Sequence, residues 1–525
     1  MATASTGNRK AAAVSRSHAL RLAVLLSSIG LAGCAVGPDY SAPTMALPAG
    51  WGGAKTTQAP KVANLAQWWR RLNDPVLNDL VEQAVQGNLD VATAKAKIRE
   101  ARAMQRETVG ALFPSLTGSG SATRNQVSSN ASGSSATPAA TSVYNEFQAG
   151  FDASWELDVF GANRRAVEAA TYGTDAAEDE LRATLVTLIG DVTSYYADAR
   201  GYQARIALAR RTAASQRETA ALTQKKFEAG SSSAVDAAKA VGQAATTEAN
   251  IPTYEAAYAV DVHKLGVLLG REPTALSELL KRSAPIPAPR LPLPTGIPAD
   301  VLTSRPDVRQ AERQLAQYTA KVGQAEAALY PSVSLTGSLS TTALKVGDLG
   351  KTSSIGWSWG PSVSVPIFNG GQLRAAVDVA DAQRDQYFVA WRSSVLTALQ
   401  DVENAVVSLA QERAKTRSLT EAARRYGEAA RLSRSLYDAG TQSFFNLLDA
   451  ERSQYSAEDS LLQSRIAIAT DYIALAKALG GGWDGAIDSS RPEVIDVNTG
   501  PHIAASQPSS QDDPSASDAR TANPR

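Results

Sequence analysis

Cysteine occurs once in the 525 residues and histidine three times. A single thiol cannot form an intrachain disulfide, and no pair of histidines or cysteines has metal-ligand spacing. Net charge is missing too: Lys+Arg and Asp+Glu both number 52, which leaves no basic field of the size that holds nucleic acid. No apolar run reaches the roughly eighteen residues of a membrane-spanning helix. If the chain crosses a membrane, it crosses as strands. Proline is absent between Gly161 and Gly230 and again from Leu373 to Ala439. Each stretch, as one helix, would extend roughly 100 Å at 1.5 Å per residue. With 44% apolar and 20% charged residues, the composition is that of a folded protein.

The one cysteine sits where it decides the compartment. Arg9, Lys10, Arg16 and Arg21 accompany an apolar stretch from Leu20 to Leu31, and residues 1–33 hold no acid. This is the layout of a secretory signal. Leu31-Ala32-Gly33-Cys34 completes it and resembles a bacterial lipoprotein box, in which cleavage makes Cys34 the first residue and its thiol takes a diacylglycerol. Ala35 follows rather than the Asp associated with inner-membrane retention, so sorting to the outer membrane is expected. Removing residues 1–33 leaves 48 bases against 52 acids, a net charge of −4.

Short matches recur in order at a spacing near 210 residues. Ala111-Leu112-Phe113-Pro114-Ser115 returns as Ala328-Leu329-Tyr330-Pro331-Ser332, and Phe160-Gly161 around Phe368-Asn369-Gly370. Phe227-Glu228-Ala229-Gly230 returns as Tyr437-Asp438-Ala439-Gly440, and Leu269-Gly270 as Leu479-Gly480. Such a period suits duplicated halves. The organisation expected is a signal peptide 1–33, a lipid-anchored extension 34–75, a first repeat 76–284 and a Pro-rich linker 285–298. A second repeat 299–483 follows, and then a tail 484–525 that lacks periodicity and reads as disordered.

Within each half the apolar period switches between helix and strand. Phe147, Ala149, Phe151, Ala153, Trp155 and Leu157 alternate with polar residues; so do Val333, Leu335 and Leu339, and Ile355, Trp357, Trp359, Val363, Val365 and Ile367. With residues 115–126 as a weaker fourth strand, each half carries one hairpin, at about 115–158 and 332–367, with the turn-rich run Val127 to Ser142 inside the first. Leu181, Leu185, Leu188, Val192, Tyr195, Ala199, Tyr202 and Ile206 are spaced as a coiled-coil seam, and Val395, Leu399, Val402, Val406 and Leu409 as its counterpart. Shorter helices at about Val76 to Leu112 and Ala234 to Leu269 could stack end to end against a long one. Four strands cannot close a barrel, and open edges in lipid leave backbone groups unsatisfied at several kcal/mol each. Two copies would give eight strands and a filled barrel; three would give twelve and a lumen. A soluble sheet covered by helices is disfavoured by Trp155, Trp357 and Trp359 on the apolar faces, where aromatic girdles meet a bilayer interface.

These residues resemble the outer-membrane factors of tripartite efflux systems, the TolC/OprM/NodT-like outer-membrane lipoprotein family. The resemblance spans Cys34 to Trp483. It rests on Gly37-Pro38-Asp39-Tyr40, Trp68-Trp69 with Asp74-Pro75 and Leu77, Asn88-Leu89-Asp90, and above all Ser304-Arg305-Pro306-Asp307-Val308 followed by Ala311-Glu312. It implies a mainly α fold with a β-barrel portion: a homotrimer whose four strands per chain close a twelve-stranded barrel in outer-membrane lipid, above a helical coiled-coil barrel in the periplasm. A periplasmic adaptor and an inner-membrane pump, RND-type, would dock at the lower end. No cofactor is implied beyond the covalent lipid on Cys34. In such proteins acidic residues ring a periplasmic aperture near the helix-pair turns. The matching positions here are Asp236, six after Gly230, and Asn446 and Asp449, six and nine after Gly440. Asn446 departs from the Asp often found there, and Gln442 stands where a gate-bridging Arg can occur. Asp236 also fits a capping box with Ser233, which would account for it without any pore.

Catalysis has little to stand on. Gly356-Trp357-Ser358-Trp359-Gly360 fits the pattern of a nucleophile elbow, but it lies within alternating strand, and only His263 and His502 remain beyond the signal. Gly350-Lys351-Thr352 resembles the end of a phosphate loop whose first glycine would fall on Lys345. The function expected is a passive exit duct for drugs or other small toxic compounds. The alternatives are a duct of the same fold for type I protein or peptide secretion, and a coiled-coil lipoprotein stalk between envelope layers.

Overall fold

The computed structural model describes residues 35–48, 50–51, 65–126, 143–289, 305–483 and 487–492. The expected signal peptide, Cys34, the run 127–142, the linker from 290, Ser304, and the tail from 493 lie outside these residues. Seven α-helices of 13 residues or more are described: α1 (Pro75–Gly87), α2 (Leu89–Gly110), α3 (Ala162–Glu228), α4 (Ala234–Leu268), α5 (Pro306–Ala327), α6 (Gln372–Asp438) and α7 (Phe444–Ala478). Four strands join them: β1 (Ser115–Gln126), β2 (Val143–Leu157), β3 (Ser332–Ala343) and β4 (Ile355–Ser364). The molecule is thus mainly helical with one small antiparallel sheet in the order β1-β2-β3-β4. Each expected hairpin forms, and β2 pairs with β3, setting Trp155 opposite Leu335.

The proline-free stretches run as α3 and α6, each 67 residues long. Both start on a glycine with positive φ, Gly161 at 85° and Gly371 at 87°, a conformation that would strain a residue with a Cβ. Along the α3 seam Leu181, Leu188, Val192 and Ala199 are buried, as are Val395, Val402 and Leu409 on α6.

The helix expected from about Val76 to Leu112 is two helices. Asn88 leaves the helical conformation (φ −68°, ψ 135°) and its side-chain oxygen accepts from the backbone N–H of Asp90 and Val91, capping α2. Its Nδ2 donates to Leu268 O at 2.9 Å. A Cβ on Gly270 would fall 2.1 Å from Gly87 O, so α4 ends hard against the α1–α2 junction. The stack along α3 is therefore α4 then α2, while α1 turns aside into the core. In the second half Arg305 occupies the matching joint, its Nη1 donating to Ala478 O at 3.3 Å and to Asp401 at 3.0 Å.

The main core lies at these joints. Trp68, Tyr196 and Tyr472 are fully buried among Leu77, Leu80, Leu265 and Ile473. Trp68 packs edge-on against Trp69 and Tyr472. Above it the N-terminal segment straps across α3 and α5. The buried Arg165 guanidinium donates to Val36 O, Gly37 O and Asp39, while Tyr40 OH donates to Glu312 at 3.0 Å. A Cβ on Gly37 would lie 2.3 Å from Gly323 Cα, which explains the glycine of Gly37-Pro38-Asp39-Tyr40. Residues 487–492, part of the segment read as a disordered tail, lie along α2: Lys95 pairs with Asp488, Arg99 donates to Ser490 O and Arg102 to Ser489.

Candidate functional site: a two-faced sheet and paired helical tips

Strand register sorts the side chains onto two faces. Because directly paired residues point the same way and neighbours along a strand alternate, one face carries Leu116, Phe151, Trp155, Leu335, Leu339, Trp357, Trp359 and Val363. The other carries Ser119, Gln148, Asp152, Glu156, Ser334, Ser338, Ser358 and Ser362. In the isolated chain Trp357 and Trp359 are 71% and 73% exposed. Such indoles need an apolar surrounding that the described residues do not supply. No described helix is long and apolar enough to cross a membrane.

The catalytic look-alikes resolve into structural parts. Ser358 lies mid-strand in β4 with its hydroxyl 2.8 Å from Ser338 Oγ on the polar face, so the strand-to-helix corner of a nucleophile elbow is missing. Lys351 pairs with Asp348 at 2.5 Å in the loop between β3 and β4. Among the described residues no group of three or more His, Cys, Asp or Glu could hold a metal ion. Cys34 lies outside the described residues, but the chain emerging from it is fixed at once: Val36 N–H donates to Phe160 O at 3.0 Å, at the junction between β2 and α3.

At the far ends of the helices two turns close the α3/α4 and α6/α7 pairs. Gly230 (φ 74°) and Gly440 (φ 78°) each terminate a long helix by the same pair of backbone bonds, Gly230 N to Phe227 O with Ser231 N to Lys226 O, and Gly440 N to Tyr437 O with Thr441 N to Leu436 O. The expected Ser233–Asp236 capping box is formed, with Asp236 N donating to Ser233 Oγ at 3.1 Å and Ser233 Oγ to Asp236 Oδ2 at 2.7 Å. Asn446 and Asp449, three apart, share an exposed face of α7, while Phe444, Leu447 and Leu448 turn inward. The three candidate residues therefore divide: Asn446 and Asp449 sit together on α7, and Asp236 belongs to the cap of α4.

Sequence reasoning missed the contacts that hold the α6/α7 tip to α3. Tyr437 OH lies 2.9 Å from Thr223 Oγ1, Lys226 donates to Tyr437 O, and the Lys226 ammonium sits 3.9 Å over the Tyr437 ring. Slightly above, Arg434 Nη2 donates to Glu451 at 2.9 Å, Thr219 at 2.6 Å and Ser215 O at 3.0 Å. Burial pushes the Glu451 carboxyl up, against the pull of Arg434. One signal was available: Tyr437 stands where the matching segment has Phe227, and the added hydroxyl is what Thr223 meets.

A family model described as outer membrane efflux protein matches residues 80–271 and 297–481. The chain is 37% identical over 458 residues to Nodulation protein T of Rhizobium leguminosarum bv. trifolii, covering 87% of this chain and 96% of that protein. It is 32% identical over 461 residues to the solvent efflux pump outer membrane protein SrpC of Pseudomonas putida, covering 86% and 96%. Among solved structures, the outer-membrane channel OprN superposes with a TM-score of 0.81 at 34% identity, covering 86% of this chain and 100% of that one. SrpC and OprN are named for transport, not for catalysis.

Proposed function

The chain belongs to the outer membrane efflux protein family, and from that premise we propose that three copies close a twelve-stranded barrel and form a passive exit duct. The observation that carries this reading is the two-faced sheet with β1 and β4, among the described residues, each paired on one side only. An apolar outer face, a polar inner face and two unpaired edges suit a barrel segment in lipid that identical segments complete. The halves 76–284 and 299–483 are taken as duplicated, which their paired helix lengths of 67, 35 and 22 residues support. The anchor is a diacylglycerol on Cys34. The helices form the periplasmic barrel, an adaptor docks near the α3/α4 and α6/α7 turns, and an RND-type inner-membrane pump supplies the driving force. Small toxic compounds are the cargo, in line with the solvent efflux named for SrpC.

At the tip, Asp449 and Asn446 face the aperture, with Asp236 nearby as a capping residue. Three copies of each carboxylate at narrow radius would favour cations. Purified protein is expected to have the mass of a trimer in native mass spectrometry and to conduct ions in planar bilayers. A monomer without conductance overturns the duct. Deleting the protein should raise sensitivity to several toxic compounds; a stalk between envelope layers would leave sensitivity unchanged.

A further inference from the structure

The apolar face of the sheet is not uniform. Towards the loop end of the strands it holds a cavity of about 350 Å³, with Gly118, Ala149 and Thr341 beside the larger Phe151, Leu339 and Ile355. The loop after β3 folds back towards it, Gly350 N–H donating to Thr341 Oγ1 at 3.0 Å. That loop exposes Leu344 and Val346, 62% and 61%, on either side of Lys345. Arg124 lies on the same apolar face of β1 as Gly118, Gly120 and Ala122, opposite Asn145.

Arginine is costly on a lipid-facing position at the bilayer midplane and close to free at the interface, so Arg124 marks the headgroup level. The strand ends at this level are those away from the helices, hence on the outer leaflet if the helices are periplasmic. Lys345 follows two residues after Ala343, the last paired residue of β3. Among the described residues neither Arg124 nor Lys345 has an ion pair. Six residues separate Arg124 from Gly118, about 20 Å of strand, a span that an extended acyl chain covers. A neutral headgroup gains nothing from two free cations, whereas phosphates on the headgroup would.

We propose that this notch is a binding site for the phosphorylated, multiply acylated glycolipid of the outer leaflet, the lipid A part of lipopolysaccharide: one acyl chain lies over Ala149 against the paired Phe151 and Leu339, and phosphate meets Arg124 and Lys345. The inference rests on the outer-membrane duct reading and deepens it.

The test is native mass spectrometry of the purified full-length protein offered hexa-acyl diphosphoryl lipid A, with phosphatidylglycerol as the anionic two-chain competitor. Lipid A should be retained in preference. Arg124→Ala and Lys345→Ala should each weaken retention about five-fold, the effect of one cation at a membrane surface, and Ala149→Leu should weaken it by filling the notch. Equal retention by all variants, or phosphatidylglycerol binding as well as lipid A, overturns the proposal. Conductance of the same preparations in planar bilayers separates the two readings: a conducting wild type that does not retain lipid A sinks the lipid site alone, and a non-conducting wild type sinks the duct.

Discussion

Tyr437 reaches across to Thr223, and its hydroxyl is one of the contacts, with Lys226 and Arg434, that tie the α6/α7 tip to α3. Tyr437→Phe removes a bond worth about 1 kcal/mol and leaves the buried Thr223 hydroxyl only its own-helix partner. More frequent open events in planar bilayers are expected, and a still larger effect when Arg434→Ala is added; unchanged traces for the double variant would discard the tether. Asp449→Asn should lower cation preference, and a retained preference would move Asp449 off the aperture. Asp198 gives a pH dependence. Its carboxyl is pushed up to about 6, by burial first and then by the charge of Asp261. An acid raised in the folded state takes up protons on folding, so stability falls as pH rises from its unfolded value, about 4, through about 6. Because the group is partly exposed, about 1–2 kcal/mol is a fair scale. Asp198→Asn should flatten the urea midpoint across that window; a slope identical to wild type would assign the dependence elsewhere. The Ser233–Asp236 cap was readable because its partners lie three residues apart. The Tyr437 tether was not, because its partners are 214 residues apart and meet only through the packing of two long helices.

The joints decide how far the helices act as single rods. At Asn88 and Arg305 a side chain, rather than continued backbone, connects one helix to the end of another. Arg305 is buried and bonded to Asp307 and Asp401, both about half exposed. Arg305→Ala should cost about 1–3 kcal/mol, below the figure for a fully buried pair because solvent takes over part of the carboxylates' pairing. A urea midpoint unmoved from wild type would mean that the joint bears no strain. Elements were legible where local chemistry is enough: proline-free stretches became α3 and α6, and period-two alternation became β2 to β4. The break at Asn88 was hidden in part: its cap on Asp90 and Val91 is local, but the bond from its Nδ2 to Leu268 O forms only once α4 is packed against the junction. The β2–β3 pairing was hidden as well, since it joins segments that strand pattern alone leaves as separate hairpins.

At the scale of the molecule the sheet has a polar side and an apolar side, and on the proposed barrel substitutions should sort accordingly. Trp357→Arg places charge on the apolar face and should reduce recovery in outer-membrane fractions, at a cost of about 2–4 kcal/mol if the site lies near the midplane. Ser358→Lys, one residue away on the polar face, should leave recovery intact and shift ion selectivity instead. Equal recovery of both variants would contradict the assignment of faces. The unpaired edges of β1 and β4 also bear on the life of a newly made copy. On the proposed trimer, a lone chain carries its indoles and two rows of unanswered backbone groups through water until siblings arrive, and those same rows accept any passing strand. Ring closure depends on the concentration of siblings, sticking on the concentration of everything else. The fate of each copy is therefore a race of encounters, and the rate of synthesis helps decide how many copies become pores and how many become debris.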